Sequence, residues 1–494
     1  MHGSDPKERA VVTQGTAARG LAFTGIAQAI RLAVGLGANV LLARLLLPQD
    51  FGIVAMVAPI VAFATLLQDL GFSQVVIQRE RMTREQLSAL FLTSSLISML
   101  LAGILIALAH PIALFYREPR VEALVVAFSA VLVLSGIQAI PGALLSRNLR
   151  FGTSALIDTV ATVLGFGAGV VFALMYHSYW ALYVTPLVTM LTMAIAKLAA
   201  CGWRPSRPSF EGDLRSIAGF SSGVSGTNIL NFIAQNADAI LIARVHGTVP
   251  LGLYDRANKL LALPLLQINI PLGRVMTPIL SRLQTEPERY RKAFADCMTL
   301  MLAISQPALL VATVFAHEIV TIVLGSQWTA AAPIFQWLGI AWIHRMLTNN
   351  LGWILLSQGR ARDYFITGAF ASTTTVLSFI VGLPFGPVGV AAALAISDWL
   401  VRLPFIWAIV GRTGPVSLRD LLRIAVPHGV AVAACTVFLV AIFVNAGELG
   451  FLRLVAVGFA AYAVYLAVLV CFPSKRNALL ARLKRPLRTP GASP

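Results

Sequence analysis

Apolar runs of 18 or more residues recur along the whole length of this 494-residue chain, with only short polar connections between them. A run of that length is what an α-helix needs to cross a hydrocarbon core about 30 Å thick. The runs are continuous and do not alternate with period two, which argues against a membrane β-barrel. Charge agrees. Asp, Glu, Lys and Arg make up 12% of the residues, against roughly 25% in an ordinary soluble domain. The chain reads as an all-α polytopic membrane protein with about 14 transmembrane helices. The expected spans run near 19–46, 51–78, 86–109, 121–146, 152–176, 179–200, 217–245, 252–281, 291–315, 329–357, 363–383, 388–410, 424–444 and 451–472.

Within this pattern one stretch occurs twice. Residues Leu41–Gly52 read LLARLLLPQDFG, and Leu241–Gly252 read LIARVHGTVPLG. Both run Leu-(Leu/Ile)-Ala-Arg, six further residues, then an apolar residue and a glycine. Each closes an apolar helix, turns, and opens the next. The competing reading is coincidence in a leucine-rich chain, although the Arg, the Gly and the spacing must then all agree by chance. Internal repeats of this size mark many transporter folds. The repeat divides the chain into a cytoplasmic N-terminal segment (1–18), an N-lobe of six spans (19–200), a linker rich in Pro and Arg (201–216) and a C-lobe of six spans (217–410). Two further spans (411–472) and a basic tail (473–494) follow.

The net charge of +17 raises nucleic acid as a partner. Its placement answers otherwise. With an even number of spans and the N-terminus inside, the cytoplasmic segments carry 26 Lys and Arg and the opposite side carries seven. That asymmetry follows the positive-inside rule and predicts both termini on the cytoplasmic side. The tail, from Lys475 to Arg488, is expected on anionic lipid headgroups. Four scattered cysteines show no CxxC and no paired spacing, so neither disulfide nor metal site is expected. The first 18 residues lack an apolar core with a cleavage site, so no signal peptide is expected. No connection is long enough for a soluble catalytic domain. P-loop, GxGxxG, HExxH and GxSxG motifs are absent from the sequence. No cofactor is expected, and a membrane polymerase or ligase, with its large external loop, fits poorly.

A charged side chain at the bilayer centre costs at least about 2.5–3.5 kcal/mol on insertion scales, so such residues face a bundle interior or a wet cavity. Four basic residues lie well inside the spans: Arg31, Arg274, Arg345 and Arg402. Lys197 lies near a cytoplasmic end, where it can snorkel. Arg31 shares a polar stripe with Gln28, Gly35 and Asn39. Asn228, Asn231, Gln235 and Asp238 step by 3, 4 and 3 along the seventh span and therefore share one face. That face suits a hydrated cavity wall that hydrogen-bonds hydroxyls, or an interhelical glue. Pro264, Pro271 and Pro278 recur every seven residues in the eighth span, which predicts a bent or broken helix carrying Arg274. The alternative is a packing kink, with Arg274 paired to a carboxylate such as Asp238.

In the tenth span Trp342, Arg345, Asn349 and Trp353 step by 3, 4 and 4, with His344 beside them. Arg offers a planar fork to phosphate, and Trp faces stack on sugar rings. The bland alternative puts Trp353 in an interfacial belt and pairs Arg345 internally. Asp398 and Arg402 are spaced i, i+4, most simply a structural ion pair. Asp69, Asp158 and Asp398 are the candidates for binding a coupling cation or proton. The excess of intramembrane cations suits an anionic substrate such as a phosphate or pyrophosphate.

Residues Leu41–Gln86 (LLARLLLPQDFGIVAMVAPIVAFATLLQDLGFSQVVIQRERMTREQ) closely resemble the polysaccharide-transporter branch of the multidrug/oligosaccharidyl-lipid/polysaccharide (MOP) flippase superfamily. These are the Wzx-type flippases of lipopolysaccharide and exopolysaccharide export. Matching pieces continue through GLYDRANKLLALPL (252–265), RVMTPILSRLQTEPERYR (274–291) and LLSQGRARD (355–363), and the similarity covers about residues 16 to 472. The resemblance implies two pseudo-symmetric six-helix lobes around a central cavity, plus two C-terminal helices. It implies movement of an undecaprenyl-pyrophosphate-linked oligosaccharide to the periplasmic leaflet by alternating access. Polysaccharide polymerase and export machinery are candidate partners, and the protein is expected to be a monomer. Relatives that flip the peptidoglycan precursor use arginines in the first and eighth helices, the helices that carry Arg31 and Arg274 here. The first helix lacks the acidic residue that many drug-extruding relatives use for ion coupling. On this reading Arg31, Arg274 and Arg345 engage the pyrophosphate, while Asn228, Asn231, Gln235, Asp238, Trp342 and Asn349 contact sugars. The rival within the superfamily is an ion-coupled multidrug or small-molecule antiporter.

Overall fold

The computed structural model describes residues 14–68, 72–79, 82–206, 232–446 and 450–472. These are helical with short turns, and no strand occurs among them. Nine helical stretches among the described residues are long and apolar enough to cross a membrane. Many large apolar side chains on them point outward, among them Leu452 at 81% and Phe459 at 74% exposure. In water such a surface would aggregate. In lipid it is the expected outer face, and the protein is a multi-pass membrane protein. The described residues fall into two compact units, within Met1–Gly226 and Thr227–Pro494.

The first unit comprises α1 (Gln14–Leu45), α2 (Pro48–Gln68), α3 (Phe72–Gln78), α4 (Arg84–Tyr116), α5 (Arg120–Arg147), α6 (Phe151–Tyr176) and α7 (Trp180–Ala200). The single span expected over 51–78 is therefore two helices, α2 and α3. Local chemistry sets the ends. Thr83 accepts the Gln86 N–H at 3.2 Å while the Gln86 side chain accepts the Thr83 N–H at 3.1 Å, a reciprocal cap that starts α4. The central helix is α5, which packs against α2, α3, α4 and α7. Helix α6 packs on α1 and α7. Gly165 and Gly169 let α6 approach α7 closely. A Cβ at Gly165 would stand 1.9 Å from Thr189 Oγ1 and 2.7 Å from the Thr185 carbonyl oxygen. Small residues four apart serve this purpose where lipid offers no hydrophobic drive for helix association.

The second unit begins with α8, helical over residues 232–246 as described. Then come α9 (Thr248–Arg282), α10 (Pro287–Val314), α11 (Ala316–Val323), a 3₁₀ turn (Ser326–Ala331), α12 (Ala332–Thr348), α13 (Leu351–Ser357) and α14 (Ala361–Gly382). A short turn (Leu383–Phe385) leads into α15 (Gly386–Ser397), a π turn (Asp398–Arg402), α16 (Leu403–Arg412), α17 (Leu418–Ala446) and α18 (Phe451–Val470). Helix α14 doubles back onto α15. The backbone of α9 stays helical through Pro264, Pro271 and Pro278, so of the bent or broken helix expected there the break does not occur. The tenth span does break, between Thr348 and Leu351.

The repeated stretch folds the same way in each unit. Leu42 and Ala43, and their counterparts Ile242 and Ala243, are buried just before a one- or two-residue turn into the next helix. The turn chemistry differs. In the first copy the Asp50 carboxylate accepts the Leu47 N–H at 2.9 Å. In the second, Gly247 adopts φ +82°.

A second repeat emerges from the backbone, Leu144–Arg150 matching Ile354–Arg360. Leu149 N donates to Ser146 O at 3.1 Å and Gly359 N to Leu356 O at 3.1 Å. Arg150 N donates to Leu145 O and Arg360 N to Leu355 O, both at 2.9 Å. Arg150 then reaches the C-terminal end of α7, and Arg360 that of α16. Arg150 donates to Ala200 O at 2.6 Å, and Arg360 to Ile409 O at 2.7 Å and Thr413 O at 2.6 Å. A cation at a helix C-terminus satisfies orphan carbonyls and complements the helix dipole.

The α6–α7 contact gives a paired test. Gly165→Ala is expected to destabilise the full chain by about 1–3 kcal/mol through overpacking. Gly167→Ala on the same helix meets open space and is expected to be neutral or slightly stabilising. Thermal unfolding of both variants in detergent checks the pair, and equal melting temperatures would refute the close packing.

Candidate functional site

In the second unit the apolar bundle encloses a polar cavity of about 450 Å³. Gln235 and Asp238 of α8 line it, as do Tyr254 and Asn258 of α9 and Trp342, Arg345 and Asn349 of α12. Ser372 and Thr375 of α14 and Arg402 of the π turn complete its polar wall. The periodicity that put Gln235 with Asp238, and Trp342 with Arg345 and Asn349, on common faces thus brings five expected site residues to one cavity.

Asp398 anchors this wall. Its side chain has 0% exposure. It accepts from Arg345 Nε at 2.8 Å and lies 2.7 Å from Arg402 Nη1. His344 Nδ1 is 3.9 Å away. Arg402 also donates to the Ala371 carbonyl at 3.0 Å and to the Thr375 hydroxyl. Asp398 is therefore more than the intrahelical partner of Arg402. It ties α12 to the α15–α16 span. The π turn that carries both residues follows from Pro404, whose missing N–H leaves the Leu400 carbonyl without its helical donor.

The electrostatics are balanced. Two guanidinium groups, Arg345 and Arg402, stand with two carboxylates, Asp398 and Asp238. Asp238 is buried, accepts the Ala239 N–H at 2.8 Å, and is hydrogen-bonded by Tyr254. Arg345 gives its Nε to Asp398. Its two terminal amino groups have no hydrogen-bond partner among the described residues, and the side chain is 19% exposed. It lies 5.6 Å from the Trp342 ring centroid, a cation–π contact. The Trp342 indole N–H is buried without a partner among the described residues. An unpaired buried donor on a cavity wall is unusual in a native fold and suits a ligand oxygen.

The other expected residues are placed elsewhere. Arg274 on α9 is exposed, does not line this cavity and pairs with no carboxylate among the described residues, so the pairing with Asp238 is not made. Trp353 lies beyond the break in α12–α13 and packs over Gly273. Asn228, Asn231 and Asp69 lie outside the described residues. Arg31 belongs to a separate cluster in the first unit. It is 3.5 Å from Asp158 on α6 and donates to Gln28 at 2.5 Å. Asp158 is also 2.9 Å from Lys197 Nζ of α7, which donates to Gln138 of α5 at 2.9 Å. Lys197 is buried at 8% exposure, so it does not snorkel outward as its position near a helix end suggests. Its role is to bind a carboxylate that the sequence shows without a partner.

Comparison with known proteins follows this geometry. A family model described as polysaccharide biosynthesis protein matches residues 41–333. The teichuronic acid biosynthesis protein TuaB of Bacillus subtilis is 30% identical over 302 residues, 60% of this chain and 62% of TuaB. The lipopolysaccharide biosynthesis protein WzxC of Escherichia coli is 24% identical over 369 residues, 74% of each chain. The succinoglycan biosynthesis transport protein ExoT of Rhizobium meliloti is 23% identical over 301 residues, 61% of each. The match thus spans less than two thirds of TuaB and of ExoT. Among solved structures, the lipid II flippase MurJ in an inward closed conformation superposes with a TM-score of 0.72 at 15% identity, covering 91% of this chain and 98% of MurJ. An inward-facing multidrug resistance MATE family transporter of the MOP superfamily gives 0.61 at 13% identity, covering 77% and 95%. The fold is that of these polytopic transporters.

The ion cluster makes a stability prediction. Asp398→Asn leaves Arg345 and Arg402 without the carboxylate that both of them contact and is expected to cost about 3–5 kcal/mol. Replacing Asp398, Arg345 and Arg402 together with apolar residues of similar volume is expected to recover most of that loss. Melting curves of the purified full chain in detergent read both. A single variant as stable as the parent would show that Asp398 does not neutralise the pair.

Proposed function

The chain belongs to the polysaccharide biosynthesis protein family, and from that premise we propose that it is a flippase for a lipid-linked oligosaccharide. The substrate class is an undecaprenyl-diphosphate-linked glycan, moved by alternating access from the cytoplasmic to the periplasmic leaflet of a bacterial inner membrane. No bond is made or broken in this reading. Both termini lie on the cytoplasmic side, as the basic loops predict.

The observation that carries the proposal is the free fork of Arg345 on the cavity wall, backed by a fully buried carboxylate and flanked by Trp342. A guanidinium with two open amino groups offers a bidentate site to a phosphate oxygen pair. The indole N–H of Trp342 and the amides of Gln235, Asn258 and Asn349 supply the hydrogen bonds that sugar hydroxyls need. The volume is at the lower end of the roughly 300–1,000 Å³ of small-ligand sites, which suits the diphosphate and adjoining sugar rather than a whole glycan. Binding an anion to a charge-balanced cluster calls for exchange. The diphosphate competes with Asp398 for the arginines, and that competition keeps the substrate from being held too tightly to release. In the first unit Arg31 shares Asp158 with Lys197, a second cation already balanced by a carboxylate.

The resting neutrality of the cavity also fits an ion-coupled antiporter of the same superfamily, in which Asp238 or Asp398 takes up the coupling ion. The two readings separate in a deletion strain. The flippase reading expects lipid-linked oligosaccharide to accumulate on the cytoplasmic face, seen with a membrane-impermeant label. Normal periplasmic appearance without a redundant transporter, together with lost drug efflux, would overturn it in favour of the antiporter. In a complementation series, Arg345→Gln at normal expression is expected to lower polysaccharide export roughly 10- to 100-fold, the weight of one lost charge-assisted contact. Arg274→Gln is expected to leave export near the parental level.

A further inference from the structure

A second and larger cavity of the second unit, about 890 Å³, shares no lining residue with the Asp398 cavity. It lies along the first turns of α10 and α17, with Phe472 just past the end of α18. It carries four cations: Arg291 and Lys292 on α10, Arg419 and Arg423 on α17. Three acidic residues share it, Glu288, Asp296 and Asp420. Asp420 is already committed. It accepts from the Ser417 N–H at 3.0 Å and the Ser417 hydroxyl at 2.7 Å, capping α17, and Arg423 approaches it only to 3.8 Å. Arg291, Lys292 and Arg419 form no salt bridge among the described residues, although the charge of Arg291 reaches Asp420. Two helix N-termini open onto the same place and add partial positive charge.

The lining is also apolar in part: Phe294, Leu422, Val426 and Phe472 share it, beside Asp296 and Arg423 on the same helices. Leu422 is 43% exposed and Val426 53% exposed, so this apolar lining stands uncovered. Cations beside apolar lining, at the ends of helices that cross a membrane, are complementary to one phosphate with its acyl chains. The chain's own tail is a poor occupant. From Phe472 the sequence runs into Lys475, Arg476, Arg482, Lys484, Arg485 and Arg488, all of the same sign as the groove's cations. We propose that this groove is a binding site for an anionic phospholipid of the surrounding leaflet. The headgroup phosphate sits among Arg291, Arg419 and Arg423, and the acyl chains run along Phe294, Leu422 and Val426. The site does not depend on what the transporter carries.

The test uses the purified full chain in neutral detergent micelles. Its melting temperature is titrated with dioleoylphosphatidylglycerol, dioleoylphosphatidylcholine and sodium phosphate. The phosphatidylglycerol is expected to raise the melting temperature saturably, and the other two are not. Arg291→Gln/Arg419→Gln is expected to raise the half-saturating lipid concentration roughly fivefold for each cation removed. Arg291→Lys/Arg419→Lys keeps the charge and is expected to titrate near the parent. Lys484→Gln/Arg485→Gln, in the tail, is expected to leave the titration unchanged. An unchanged titration in the Gln pair, or a loss confined to the tail variant, would overturn the assignment. An equal response to phosphatidylcholine would reduce the groove to ordinary lipid contact. An equal response to phosphate would make it a free-anion site.

Discussion

A carboxylate sealed from solvent holds the second unit's polar cavity in shape. Asp398 binds Arg345 at 2.8 Å and Arg402 at 2.7 Å. Without it, two guanidinium groups would be left with Asp238 as the one remaining carboxylate of the cavity wall. Burying ions is costly, and a well-packed apolar substitute is often as stable. What the triad supplies is geometry. It fixes α12 against the turn between α15 and α16, and it orients Arg345 so that Nε faces inward and the terminal amino groups face the cavity. The π turn at Asp398–Arg402 is part of the same device, since Pro404 prevents a regular helix at this point. Stability, bend and substrate-facing charge rest on one side chain.

The first unit solves the same problem with a different balance. Asp158 stands between Arg31 at 3.5 Å and Lys197 at 2.9 Å, and Gln138 supports the lysine. Two cations share one carboxylate here, whereas in the second unit two carboxylates stand with two arginines. The looser contact is the one to Arg31, whose side chain is 24% exposed against 11% for Lys197. Lys197 secures the carboxylate, which leaves Arg31 the cation that can be drawn away by an incoming anion at least cost. The same reasoning ranks Arg345 above Arg402 in the second unit, because Arg402 is further anchored to Ala371 and Thr375.

Much of this was legible in the sequence because it is local. Span positions follow from apolar run length, and the LxAR repeat marks a helix end in both halves. The 3- and 4-residue steps placed Gln235 with Asp238, and Trp342 with Arg345 and Asn349, correctly on shared faces. Contacts between distant helices were not legible. The Arg345–Asp398 bond joins residues 53 apart, and no periodicity says which of several membrane carboxylates meets which arginine. Lys197 was misread for the same reason: its partner sits on α6. The prolines around Arg274 suggest a bent or broken helix, but the backbone runs helical from Thr248 to Arg282 and leaves Arg274 exposed, without the carboxylate partner that Asp238 was expected to be. Trp353 was lost to the break after Thr348, which moves it off the face that Arg345 shares.

The basic loops, which a topology rule treats as interchangeable charges, divide into two chemical classes. Arg147, Arg150 and Arg360 are spent on protein: each donates to a backbone carbonyl of another segment of its own unit, Val76, Ala200 and Ile409 among them. Arg150 and Arg360 do so from matched positions of the second repeat, which the one-letter sequence hides because only Leu145/Leu355 and the arginines are identical across it. The residue before each adopts a left-handed backbone, Gly359 at φ 67° and Leu149 at φ 55°. Leucine is disfavoured there by roughly 1–2 kcal/mol, so the turn in the first unit is held by its surroundings rather than by its own preference. Arg291, Lys292 and Arg419 belong to the other class. They stand at helix starts, where the nearby dipole repels them, and no carboxylate pairs with them among the described residues. Exposed and solvated, they remain available to an anion from outside the chain, and beside apolar lining the anion of matching chemistry is a lipid phosphate.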